Sequence, residues 1–88
     1  MNYRTEFSPQ AIKRRDRLDQ ATYQRIERRL DELEANPYDP RISKLLKGLE
    51  GMRSSRVGDW RIIYTANTTA KLMYVIAILP RGEAYRRL

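Results

Sequence analysis

The chain has 88 residues, enough for one small domain, with 18 Lys/Arg against 11 Asp/Glu and a net charge of +7. It contains no cysteine and no histidine, which excludes disulfides, thiolate metal sites and the side chain best suited to proton transfer near neutral pH. The opening MNYRTEFSPQ lacks the apolar run of a signal peptide, and no segment approaches the roughly 18 apolar residues of a membrane span, so a soluble cytoplasmic protein is expected.

In chain order, NYRTEF alternates Tyr3, Thr5 and Phe7 against Arg4 and Glu6, the pattern of a short strand with one buried face. SPQA then opens a helix, with Ser8 as N-cap and Pro9 at the first helical position. This helix, over about residues 9–17, is weakly amphipathic through Ala11, Ile12 and Leu18. After a break at Leu18-Asp19-Gln20, a stripe of Tyr23, Ile26, Leu30 and Leu33 marks a second helix, which Asn36-Pro37 ends. The two helices read as an antiparallel hairpin.

Pro37, Pro40, Gly48 and Gly51 punctuate the long connection that follows. The rest is β, over about residues 52–57, 60–66 and 70–79, with turns at Gly58-Asp59 and ANTT. LMYVIAIL is the apolar run of a central strand covered on both faces. RGEAYRRL makes at most one or two helical turns. The order β-α-α-β-β-β over one domain, residues 1–88, predicts an α+β fold: a helical hairpin on a mostly antiparallel four-stranded sheet.

Charge is unevenly placed along this order. Residues 1–35 hold eight Lys/Arg and seven Asp/Glu, whereas residues 36–88 hold ten and four. The first part reads as ordinary solvated helices; the second is a basic element, and a pI near 10.1 points towards a polyanion. Within it, a two-residue turn at Gly58-Asp59 sets Arg56 directly opposite Arg61, a like-charge pair that destabilises a ladder. Arg81 lies just past the buried strand, spaced by two from Leu79, Ala77 and Val75. Clustered guanidinium groups repel unless an anion joins them, and their planar forks match phosphate oxygens. The structural alternative is a salt bridge, Arg56 to Asp59 or Arg61 to a carboxylate of the helices. Trp60 and Tyr64 alternate with Arg61 and are expected in the core.

Taken together, FSPQAIKRRDRL at the first helix, NP ending the second, KLLKGL before the sheet, the hairpin RVGDWRIIY and the tail PRGEAYRRL resemble the RelE/ParE superfamily of toxins from bacterial toxin–antitoxin pairs. The resemblance covers nearly the whole chain. For the RelE branch it implies an endoribonuclease that enters the ribosomal A site and cuts mRNA; for the ParE branch, a gyrase poison without cleavage chemistry. A shared fold does not choose between them. A non-catalytic nucleic-acid-binding module is the third reading.

The RelE-type site is implied to be basic residues on the sheet plus a tyrosine near the C-terminus, which here match Arg56, Arg61, Arg81 and Tyr85. Lys44, Lys47, Arg53, Ser54, Arg86 and Arg87 are expected to contact RNA or the ribosome. The reaction is attack of a 2′-hydroxyl on the adjacent phosphorus, so no metal or cofactor is expected. Arginine stabilises charge on phosphate oxygens, but neutralising one at pH 7 costs about 7.5 kcal/mol. Tyrosine costs roughly 4 kcal/mol, less beside positive charges, which makes Tyr85 the candidate proton-transfer group and Glu83 a weaker one. Two departures leave the general base open: Ser54 occupies one of two second-strand positions that are basic in the best-known RelE pattern, and PRGE stands where many relatives have HR or KR. The resemblance also implies a cognate antitoxin wrapping the helices and exposed sheet face, ribosome and mRNA as partners, promoter DNA only as the toxin–antitoxin complex, and no membrane.

Overall fold

The computed structural model describes residues 2–82. Strand β1 (Arg4–Phe7) leads into helix α1 (Pro9–Asp16) and helix α2 (Gln20–Ala35). Strands β2 (Lys44–Leu45), β3 (Arg53–Val57), β4 (Trp60–Asn67) and β5 (Leu72–Pro80) follow. The sheet runs β1-β5-β4-β3-β2, parallel at β1–β5 and antiparallel elsewhere. The α+β class and the mostly antiparallel sheet are as expected from the sequence, but the strands number five, not four. The extra strand, β2, is two residues from the connection expected to be loop, and pairs Lys44 with Ser54 and Leu45 with Arg53.

Local chemistry sets the helix ends. Ser8 caps α1 by accepting a hydrogen bond from the Ala11 amide at 3.0 Å, with Pro9 in the first turn. The same hydroxyl donates to the Ile76 carbonyl at 2.6 Å, tying the helix start to β5. Ser8→Ala is therefore expected to cost more than a cap alone, about 1–3 kcal/mol, read as a lower urea midpoint at unchanged m-value. Asp19 caps α2 by accepting from the Thr22 amide, and hydrogen bonding from the Thr22 side chain and then that amide holds its carboxyl below the usual range. Arg15 clips the two helices together with a bidentate pair to Glu27, both contacts 2.9 Å, and stacks over Phe7.

The main core lies between helices and sheet. Ile26, Leu30 and Leu33 of α2 and Ala11 of α1 meet Ile62, Tyr64, Met73, Val75 and Ile78. Ile12, expected to help form the α1 stripe, is 45% exposed. A smaller cluster, Ile63, Ala77 and Leu79 with Leu46, Met52 and Ile76, sits apart from the helix-facing core. A register shift at Ile63/Tyr64 pairs Ile63 with Ala77 and Tyr64 with Val75, so Ile76 is the extra residue of a bulge. The bulge breaks the period-two spacing from Val75 to Arg81: Val75 joins the helix-facing core, while Ala77 and Leu79 join the other cluster.

Among the described residues no helix is long and apolar enough to cross a membrane.

Candidate nucleic-acid interface

Register builds the site. Gly58, at φ 60°, makes the left-handed corner of a two-residue turn between Val57 and Trp60, and this sets Arg56 against Arg61 as expected. Arg61 pairs on its other side with Leu79, and the Arg81 amide donates to the Asp59 carbonyl at 2.7 Å. The backbones of all three arginines therefore meet at one corner of the sheet. Trp60 and Tyr64 turn to the helix side and pack in or against the core.

Arg56 and Arg61 border a recess of about 330 Å³ at the end of β2, beside the β3 edge. Arg29, Arg41 and Lys44 complete its cationic lining, and among the described residues it has no carboxylate lining. Ser54, 3% exposed, also lines the recess. Arg56 is exposed and its Nε donates to the Gly58 carbonyl at 3.2 Å, not to Asp59. Among the described residues Lys44, Arg56 and Arg81 form no ion pair. Arg41 is tethered to Asp39 by two side-chain contacts of 2.8 and 3.2 Å, which hold the Asp39 carboxyl below its usual range.

Arg29 comes from α2. Its Nη1 donates to the Arg56 carbonyl at 2.6 Å and to Ser55 Oγ at 2.9 Å, while its Nε reaches Glu32 at 3.0 Å. Because β2 pairs only with Arg53 and Ser54, this arginine serves the β3 edge where no strand does.

The expected site residues are thus not all together. Arg56, Arg61, Lys44 and Ser54 share the recess. Arg81 is exposed near it but is not part of its lining. Lys47 lies in the loop after β2, against an apolar recess of its own. Arg53 faces the helix side: its Nε donates to Ser43 Oγ at 2.7 Å and its guanidinium lies over the Tyr38 ring. Its partners are those of a structural arginine. Glu83, Tyr85, Arg86 and Arg87 lie outside the described residues.

Sequence reasoning missed Arg29 and Arg41. Arg29 stands three residues after Ile26 and next to Leu30, at the border of the buried stripe, and that position was the available signal. Arg41, in an irregular segment, offered none.

The two-helix, five-stranded α+β fold that carries this recess is that of the RelE/ParE superfamily of toxins. In fold the chain is similar to the archaeal RelE of the RelE–RelB complex from Pyrococcus horikoshii, at 30% identity and TM-score 0.79 over 93% of this chain and 98% of that one. It is also similar to the RelBE2 toxin–antitoxin complex from Mycobacterium tuberculosis, at 22% identity and TM-score 0.78 over 92% and 100%. The YoeB/ParE toxin from Agrobacterium tumefaciens matches at 17% identity and TM-score 0.77, over 88% and 96%. The family model for the ParE toxin of type II toxin-antitoxin system, parDE, matches residues 5–85. The chain belongs to this family, within the RelE/ParE superfamily of type II toxins. No curated protein matches it in sequence.

Proposed function

We propose that this toxin is a metal-independent, ribosome-dependent endoribonuclease that cuts translated mRNA in the A site. The observation that carries the reading is the facing pair Arg56 and Arg61 on a recess with five cationic lining residues and no carboxylate lining among the described residues. Guanidinium forks suit a phosphate that gains charge as the 2′-oxygen bonds to phosphorus and the bond from phosphorus to the 5′-oxygen breaks. The 2′-hydroxyl proton leaves to a base and the 5′-oxygen takes one up. Tyr85 is the candidate for proton transfer, with Arg81 as a further phosphate contact.

The ribosome supplies orientation of the message, so naked RNA is cut slowly if at all. A cognate antitoxin is the natural protein partner, since the similar RelE structures from Pyrococcus horikoshii and Mycobacterium tuberculosis are toxin–antitoxin complexes. Promoter DNA is reached only through such a complex.

A second reading, a ParE-like gyrase inhibitor, is favoured by the family model that matches. Mapping mRNA 5′ ends after induction in cells separates the two. Cuts inside translated codons, absent from the same message without a start codon, support the ribonuclease. Gyrase pull-down with DNA-damage signalling and intact messages supports the inhibitor.

A further inference from the structure

The mixed charge of α2 conceals a one-sided arrangement. Arg25, Arg28, Arg29 and Glu32 recur at the spacing of one helix face, separate from buried Ile26, Leu30 and Leu33. Arginines three and four apart repel on a helix, as Arg56 and Arg61 do across the hairpin. Two other α2 carboxylates are engaged elsewhere, Glu27 with Arg15 and Glu34 with the Thr5 hydroxyl. Among the described residues Arg25 and Arg28 form no ion pair, and both are exposed.

Two contacts join this face to the recess of the hairpin arginines. A second hollow of about 140 Å³, lined by Arg25, Arg28, Arg29, Glu32, Val57 and Gly58, shares Arg29 with it. Arg25 also lies close against the hairpin turn: a Cβ on Gly58 would stand 2.6 Å from its Nη2 and 3.2 Å from its Cζ. The guanidinium of α2 therefore abuts the turn that carries Arg56 and Arg61, and Arg29 binds the Arg56 carbonyl between them.

We propose that these two hollows form one trough over the β3 edge that holds the backbone of a single RNA strand, with phosphates on either side of the Arg56–Arg61 pair and the distal ones on Arg25 and Arg28. This rests on the proposed ribonuclease activity and adds to it a path for the strand. A chain of guanidinium forks with little acidic lining and, among the described residues, no aromatic lining suits a repeating phosphate backbone. An acidic peptide would leave fewer charges satisfied along the same path.

The test is binding of the free toxin to a fluorescent 2′-deoxy single-stranded oligonucleotide, which cannot be cut by 2′-attack, across a salt series. Each phosphate contact contributes about 0.7 to the slope of log K against log salt for a single strand. Arg25→Ala with Arg28→Ala is expected to lower the slope by about 1.4, and Arg28→Glu, on an exposed side chain, to weaken binding further still. Arg4→Glu, at an exposed position on β1 at the opposite edge of the sheet, changes the charge by two as each α2 variant does and leaves the slope unchanged. Thermal melting confirms that each variant is folded.

An unchanged slope in both α2 variants, or equal loss in the Arg4 control, overturns the trough. So does displacement of the oligonucleotide by a glutamate-rich peptide of equal charge at equal concentration. Cleavage on ribosomes is scored separately on the unmodified toxin. Cleavage with an unchanged α2 slope removes the trough and leaves the activity; a shifted slope without cleavage does the reverse.

Discussion

Arg61→Ala is expected to lower ribosome-dependent mRNA cleavage by about 100–1000-fold, the usual effect of removing one donor to a charge that develops in the transition state. Arg61 stands on β4, a strand paired on both sides. It is half-buried, sits between Arg56 on β3 and Leu79 on β5, and so is held in place before RNA arrives. Preorganisation of that kind is what makes a donor effective, because no reorganisation is needed during the reaction. Arg61→Lys keeps the charge but loses the planar fork, so it should recover only a part of the rate. The loss should appear in single-turnover rates on programmed ribosomes, with melting temperature changed by only a few degrees. Arg81→Ala should act in the same direction. Full activity in Arg61→Ala would remove this residue from the chemistry.

Tyr64→Ala is expected to cost about 3–5 kcal/mol, enough to lower the melting temperature of a chain this size by about 15 °C or more. Tyr64 is fully buried, and its hydroxyl donates to the Pro37 carbonyl at 2.6 Å. With its one proton so used, it accepts from Ser43 Oγ, which in turn accepts from Arg53 Nε. The relay staples the connection after α2 to β3 and β4, and the wall of the recess at Ile42–Lys44 hangs from it. Tyr64→Phe keeps the packing but strands the Pro37 carbonyl, so about 1–3 kcal/mol is expected, measured by urea unfolding. Burial raises the pKa of this phenol above 10.0. Its contribution is complete below the unfolded value near 10 and is lost as pH rises through the higher folded one, so stability should fall with pH above about 10. Tyr64→Phe should flatten that fall.

What the sequence disclosed followed from period and punctuation. Ser8-Pro9, the Ile26/Leu30/Leu33 stripe and Gly58-Asp59 each carry a local mechanism, and each element they announce is present. Strand β2 was illegible because two residues carry no period, and its partner is supplied only by folding. The bulge at Ile76 was hidden inside a run of apolar residues that looks the same from either face, yet it turns Val75 away from Ala77 and Leu79. The facing of Arg56 and Arg61 needed only the turn, so that part of the candidate site was readable. Arg29 was not, because its role depends on which sheet edge α2 meets. Arg53, three residues from Arg56 in one strand, points to the opposite face, towards Ser43 and the Tyr38 ring.

The proposed chemistry is decided on purified ribosomes carrying a defined message with a known codon in the A site, incubated with the toxin and then probed at the new RNA ends. The expected result is a cut within that codon leaving a 2′,3′-cyclic phosphate and a 5′-hydroxyl, with little cleavage of the same message free in solution. An intact message on the ribosome, or equal turnover on naked RNA, would contradict it.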